Sequence, residues 1–478
     1  MLTEKDLPKA FIELCRSITA KRPRTVIDHL LKHGQISTEE LKTVYGYNHP
    51  PQLKPKAKPL QAARSGTFTD NMRLPVHRWF RYSAGFSAEW AEGVINDHGG
   101  KGCTVLDPFA GSGTTLIAAE NCGAAAYGFE SHPFVQRIAE AKLSWSTDSD
   151  AFLAAARAVR KHHTKWEALV AEVKSAPELL QKCYSVEALA QLYALRNGFK
   201  KESTNLDPAS SRLIWLAITG ILRACSGVGT AQWQYILPNK SKAKVLEPLT
   251  AFDAKVEQMV ADMRAAQEQG WNSSARVFAH DSRDKKIPIE TGSVDLVVTS
   301  PPYANNYDYA DATRLEMMFW GEISGWGDLQ DAVRQHIIRS CSQHAAADRV
   351  DLTNLLTHSR LSAIGSEISD VCNELAEVRL GKGGKKAYHT MVAAYFYDMA
   401  ATFGTLRKAC RDGARMCFVV GDSAPYGVYV PVDEWLGRLA VAAGFKSYSF
   451  DKLRDRNTKW KNRKHTVPLQ EGHLWIEG

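Results

Sequence analysis

The spacing of apolar positions changes character several times along the chain. From about residue 67, short apolar runs alternate with stretches of helical period. "TVLDPF" (104–109) is followed by "TTLIAAENCG", then "AAYGFE", then "FVQRIAEAKLSW". Short apolar runs bounded by Gly or Pro predict buried strands, and apolar residues recurring every three or four positions predict helices. Strand–helix alternation of this kind predicts an α/β chain with a doubly wound, mostly parallel sheet covered on both faces. The alternation breaks off at 146, and residues 146–270 read as almost wholly helical. Strand patterns resume with "ARVFAHD", "VDLVVTS", "ARMCFVVGD", "FKSYSFDKLRD" and "GHLWIEG". An irregular stretch, 322–390, carrying the run "GKGGKK", separates the fourth strand pattern from the fifth.

Ahead of the alternation, residues 1–48 read as helical. "VIDHLLKHG" puts Val26, Ile27, Leu30 and Leu31 on one face and ends at Gly34, and "STEELKTVYG" opens on a capping signature and closes at Gly46. Two short helices and a tight turn predict a helix-turn-helix or winged helix. A plain helical lid or dimer arm has the same pattern. Residues 48–66, rich in Pro and Lys, read as a linker or exposed wing. The expected organisation is therefore a small helical module with linker (1–66), a first part of the sheet domain (67–145), a helical insertion (146–270), and the rest of the sheet domain (271–478) with its own insertion at 322–390.

Composition narrows the partners. The 478 residues carry a net charge of +8 and 44% hydrophobic residues, so a sizeable core is available. The cations are unevenly spread: 12 Lys/Arg against 6 Asp/Glu in residues 1–66, and 8 against 2 in 446–465. The second run interleaves Trp460 and His465, as a surface that meets a polyanion would. Nine cysteines without a CxxC pair argue against a zinc ribbon and a disulfide framework, and no metal site is expected. No signal-peptide pattern opens the sequence and no apolar run is long enough to span a bilayer, so a soluble cytoplasmic protein without membrane contact is expected.

Three strand ends carry the candidate chemistry. In "LDPFAGSGTT" (106–115) a strand runs into a glycine turn and a helix. Gly111 and Gly113 permit a tight turn and close approach of a ligand to the backbone, and Asp107 can accept from a cationic amine. Neither the third glycine of a dinucleotide turn nor the lysine of a triphosphate loop is present. Glu130, at the end of "AYGFE", is placed to accept from ribose hydroxyls. Asp281, in "AHDSRD", is placed to accept from an exocyclic amine of adenine. Together they describe a pocket for an adenosine with an amine-bearing tail.

The pair "DPFAGSGTT" and "TSPPY" (299–303) resembles the S-adenosylmethionine-dependent amino-methyltransferases of DNA, over roughly 67–478 apart from the insertions. The resemblance implies a Rossmann-like methyltransferase sheet of seven strands, the last antiparallel, with S-adenosylmethionine as cofactor and double-stranded DNA as partner. It implies cofactor contacts from Asp107, Pro108, Phe109, Gly111, Ser112, Gly113 and Thr114, from Glu130 at the ribose, and from Asp281 and Ser282 at the adenine. "VHRWFRYSAGFS" (76–87) is similar to the segment before the first strand in that family, which implies Phe86 and Ser87 at the methionine end. The N-terminal module resembles a small winged helix found beside some restriction nucleases and DNA methyltransferases.

In "TSPPY" two prolines stop the strand and stiffen a hook, since neither donates an N–H. The Ser300 hydroxyl and the Pro301 carbonyl then offer two acceptors to a base amine, Pro302 rigidifies the corner, and Tyr303 stacks on the base. Family members with Ser before the two prolines mostly methylate N4 of cytosine, and those with an acid or Asn mostly methylate adenine. Ser300 therefore favours cytosine N4 in a flipped base, with adenine N6 as the alternative. An RNA or protein amide methyltransferase, and a non-catalytic DNA-binding subunit, are the alternatives of other classes. The setting implied is restriction-modification or defence, with a cognate component as a possible partner and nucleoid association through DNA. Asn305, Tyr307, Asp308, Tyr309 and Arg314 either shape the base pocket and hold phosphate or form a loop packed over the site. "CSGVGTAQWQYILPNKSKAK" (225–244) reads as a loop that enters DNA, "GKGGKK" as a phosphate track or a surface tip, and "KLRDRNTKWKNRKH" (452–465) as a backbone-facing strip.

Overall fold

The computed structural model describes residues 68–478 except 100–101, 232–233, 306, 346–349, 384–385 and 457–467. All of them belong to one of the two units into which the chain divides, Ala62–Gly478. The helix-turn-helix or winged-helix expectation for 1–48, the linker at 48–66, and parts of the "GKGGKK" and "KLRDRNTKWKNRKH" segments lie outside the described residues.

Seven strands form the main sheet: β1 (Thr104–Asp107), β2 (Ala125–Glu130), β5 (Arg276–Ala279), β6 (Val294–Thr299), β7 (Cys410–Gly421), β8 (Ser447–Arg456) and β9 (Leu469–Glu477). Their order is β5-β2-β1-β6-β7-β9-β8. β1 pairs in parallel with β2 and β6, β2 with β5, and β6 with β7, whereas β9 runs antiparallel between β7 and β8. This is the doubly wound α/β methyltransferase arrangement, and all seven strand patterns of the sequence form strands in it. The two remaining strands, β3 (Val228–Thr230) and β4 (Ile236–Ser241), make an antiparallel hairpin inside the stretch that reads as helical.

Period two explains how one sheet serves two cores. Val105, Leu296, Val298 and Cys417 point to one face, where they pack with Ala91, Ile95 and Leu116 from the helices Ala88–His98 and Thr114–Asn121. Their neighbours Leu106, Val297, Met416 and Phe418 point to the other, against Met391, Phe396, Phe403 and Trp435 of Tyr388–Ala409 and Val432–Ala442. Burying both faces is what a parallel sheet requires.

The helices between 149 and 268 have a core of their own, centred on Trp215, Leu216, Phe252 and Met259, which joins Phe134 and Ile138 of the Pro133–Leu143 helix. Asp262, 2% exposed, ties this body to the segment ahead of the sheet. It accepts from Val76 N at 3.2 Å, Trp79 Nε1 at 2.9 Å and Arg78 Nε at 3.0 Å. Among the described residues no helix is long and apolar enough to cross a membrane.

Candidate active site

Parallel sheets bind ligands at the carboxyl ends of their strands, where the strand order reverses. Here that point lies between β1 and β6, and a cavity opens there. Phe86, Pro108, Phe109, Gly111, Ser112, Thr114 and Glu130 line it from one side and Ser300 and Pro302 from the other. Two motifs 185 positions apart, ending at 115 and opening at 300, thus face one cavity.

The glycine turn owes its shape to backbone constraints. Gly111 has φ +52 and Gly113 φ +86, a left-handed region costly for side-chain-bearing residues. A Cβ at Gly111 would meet the Tyr82 ring at 3.2 Å, and one at Gly113 would meet Ala139 Cβ at 3.4 Å. Gly113 precedes the first residue of the Thr114–Asn121 helix, so its role is to turn the chain rather than to line the cavity.

Glu130 reaches across from β2. Its carboxylate accepts from Gly111 N at 2.8 Å and from His132 N at 2.7 Å. Burial pushes its pKa up to about 7, against the pull of those two N–H groups. Asp107, 1% exposed, is likewise raised by burial, to about 6. Glu130 in the lining, with Asp107 buried behind it, makes the cavity a place that favours a cation.

Asp107 itself does not line the cavity. Its oxygens accept from Thr115 Oγ1 at 2.6 Å, Thr299 Oγ1 at 2.5 Å and Phe109 N at 3.0 Å. Direct capture of an amine is therefore not what its geometry provides. It fastens the glycine turn to the last residue of β6, one position before the Ser-Pro-Pro-Tyr hook. Asp281 and Ser282 also stay outside the lining. Asp281 is engaged by the Arg283 guanidinium, with Nε at 2.9 Å, and Ser282 donates to the Pro108 carbonyl. Ser87 accepts from Trp90 N at 3.4 Å as the cap of the Ala88–His98 helix. Next to it, Asn71 holds the Phe86 carbonyl at 2.8 Å and Ala88 N at 2.9 Å.

At the hook, the Ser300 hydroxyl donates to the Val419 carbonyl at 3.4 Å, a long bond that a better partner can replace. Pro301 is buried and does not line the cavity. Tyr303 lies just outside, with the Arg456 guanidinium 5.1 Å from its ring centre. Burial and the Glu471 carboxylate push its phenol upward, so it stays neutral.

A buried ion cluster braces the following loop. Asp308 accepts from Arg334 Nη2 at 2.6 Å and pairs with His344 Nε2 at 3.0 Å. Burial alone would lower His344, yet Cys341 and Asp308 raise it to about 9. Burial alone would raise Asp308, yet His344 and Arg334 hold it at about 2. Asp308, Cys341 and His344 have ligand atoms within 4.8 Å of one another. Arg334 holds one oxygen of Asp308 and His344 the other, so both carboxylate oxygens are already engaged.

The helical insertion reaches the site at two points. Gln234, in the turn of the hairpin, accepts from Ser83 N at 2.7 Å and donates to the Arg81 carbonyl at 2.7 Å, fixing the segment that carries Tyr82. Tyr235 Oη accepts from Asp308 N at 2.6 Å. Tyr309, one of the pocket-or-loop candidates of the sequence, lines the cavity, and Tyr82, His132 and Ile338 line it without having been singled out. The aromatic cluster before β1 was a signal for Tyr82, and no local pattern marks His132 or Ile338.

The free volume is about 70 Å3, below the roughly 300 Å3 of ordinary ligand pockets. A nucleoside must therefore turn side chains aside, and the half-buried rings of Tyr82, Phe109 and Tyr309 are placed to move. The residues otherwise fit S-adenosylmethionine: a carboxylate, Glu130, at the end of β2, and a glycine turn without a phosphate cradle.

Comparison with known proteins agrees with these features. The family model for N6/N4 DNA methylases matches residues 22–141, which include the glycine turn and Glu130. The chain is similar to the type II methyltransferase M.BsoBI of Geobacillus stearothermophilus, 25% identical over 428 residues, 82% of each chain. It is also similar to the type II methyltransferase M.AvaI of Nostoc sp., 24% identical over 406 residues, 79% of this chain and 81% of that one. Among solved structures, the rRNA methyltransferase aviRa from Streptomyces viridochromogenes aligns at 11% identity with a TM-score of 0.26, covering 84% of this chain and 85% of that one. At that score it adds nothing to the topology described above.

Proposed function

We propose, from the premise that this chain is a relative of the DNA amino-methyltransferases and uses S-adenosylmethionine, that it methylates the exocyclic N4 of a cytosine turned out of duplex DNA, in a restriction-modification or defence setting. The observation that supports it most is the cavity shared by Glu130 and the glycine turn on one side and Ser300 and Pro302 on the other.

When bound, S-adenosylmethionine supplies an electrophilic methyl group on a sulfonium. The chain's residues do the rest by holding. Glu130 accepts from the ribose hydroxyls, and Asp107 keeps the turn in register with β6. Asp281, at the end of β5 and shared with Arg283, would accept from the adenine amine. Ser300 Oγ and the Pro301 carbonyl accept the two N–H groups of the target amine. Those bonds draw the nitrogen out of conjugation and aim its lone pair at the methyl group. Tyr303 stacks on the base, worth ~1–3 kcal/mol, which offsets part of the few kcal/mol of flipping. Alignment of the two reactants can contribute roughly 7–11 kcal/mol. The methylated amine is cationic and acidic, and releases its proton to water. The strands β3 and β4 of the hairpin and the cations of the sequence run 452–465 are the proposed contacts to DNA.

Glu130 gives a pH-dependent expectation. Ribose donors need its ionised form, so cofactor affinity should fall as pH drops below about 7. Glu130→Gln should weaken S-adenosylmethionine binding roughly 10- to 100-fold, the loss of one charge-assisted hydrogen bond, and flatten that acid limb. Isothermal titration calorimetry across pH checks both.

Incubation with methyl-labelled S-adenosylmethionine and duplex DNA, tRNA or protein, followed by digestion, tests the function. N4-methyldeoxycytidine is expected. N6-methyldeoxyadenosine would move the reading to adenine, and label confined to RNA or protein would overturn it.

A further inference from the structure

Lys142 follows Ile138 by four positions on the buried face of the Pro133–Leu143 helix and is 2% exposed. Its ammonium donates to the His77 carbonyl at 3.1 Å, and among the described residues no ion pair neutralises it. A buried ammonium without a counter-ion is costly. Its surroundings do not relieve the cost. Burial, then repulsion from Lys255, pulls Lys142 down to about 7. Burial, with Lys142 beside it, takes His77 to about 3, so that ring is neutral. Asp262, on the helix that carries Lys255, is spent on Arg78, Trp79 and Val76. The 68–73 turn contributes Asp70 and Arg73.

A void of about 10 Å3 adjoins Lys142 and is walled by Ser112, Thr114 and Tyr82. That is about the space of one water-sized atom. The same three residues line the main cavity. Under the function proposed above, on which this inference rests, the amino-acid end of the donor belongs beside Phe86, and Ser112 and Thr114 line the same cavity as Phe86. We propose that Lys142 is the counter-ion for the α-carboxylate of S-adenosylmethionine, one of whose oxygens enters the void between Ser112, Thr114 and the ammonium. The free protein thus keeps an unmatched cation where the donor brings an anion.

The test compares S-adenosylmethionine with its decarboxylated form, which keeps the sulfonium and the amine, by calorimetry on the full chain. Wild type should prefer the carboxylated ligand roughly 10- to 100-fold. Lys142→Met should abolish that preference while binding the decarboxylated ligand within about twofold of wild type. A lysine that must be charged to bind also makes wild type's preference shrink as pH rises from about 6.5 to about 8.5, by up to tenfold per unit above pH 7. Lys255 and each ligand's own amine titration are common to both proteins, so the difference between wild type and Lys142→Met reports Lys142. The wild-type comparison decides the matter even if the variant does not fold. Retained preference in Lys142→Met, or no preference in wild type, would overturn the assignment. If wild type binds neither ligand, the proposed use of the cavity fails first.

Discussion

Tyr303→Ala is expected to slow methyl transfer to duplex DNA by roughly 10- to 100-fold, the value of one base–aromatic stack. Affinity for S-adenosylmethionine should stay within about twofold. The separation follows from geometry. Tyr303 stands beyond the cavity that holds Glu130 and the glycine turn, and its ring is held under Arg456 near β9. Tyr303→Phe should restore most of the rate, because the ring supplies the stacking and the phenol stays un-ionised. Single-turnover kinetics beside calorimetry distinguish the outcomes. An equal loss of binding and turnover would contradict the proposed role.

Asp308→Asn should cost about 3–5 kcal/mol of stability, because it leaves buried cations without their anion. Arg334 is 3% exposed and His344 9%. The sign with pH follows from the two shifts. His344, raised to about 9, contributes stability in full below its unfolded value of ~6.5, lost as pH rises through about 9. Asp308, lowered to about 2, contributes in full above its unfolded value of ~3.9, lost as pH falls through about 2. The gap between wild type and variant in urea unfolding should therefore be widest from about pH 4 to 6.5 and narrow on both sides. Turnover should fall as well, because Asp308 accepts from Ala310 N at 3.1 Å and precedes Tyr309 of the cavity lining.

What could be read in advance divides along a physical line. The central strands β1 and β6 are short apolar runs whose alternate residues serve opposite faces, as Val105 and Leu106 do, and that signal is local. The glycine turn and the Ser-Pro-Pro-Tyr hook are also local, since φ-permissive glycines and two prolines constrain the backbone wherever they occur. The β3–β4 hairpin was not legible: "VGT" is three residues long, and "ILPNKS" carries a proline and four exposed positions. Asp107 was legible as a strand-end acid, but its partner Thr299 lies 192 positions on, and such a bond exists only once the sheet has formed. Arg283, only two positions away, was a local rival for Asp281 that the motif reading passed over. Lys142 did leave a trace, as a lysine four residues after Ile138 on an otherwise apolar helix face. Its meaning needed the void beside Ser112.

A crystal structure of the chain with S-adenosylhomocysteine bears most directly on the account. Its sulfur should lie between the glycine turn and Ser300, its ribose hydroxyls on Glu130 and its carboxylate toward Lys142. A ligand seated elsewhere, for instance in the cavity by Asp422 and Tyr429, or a sulfur farther from Ser300 than a methyl group and an amine can bridge, would contradict it.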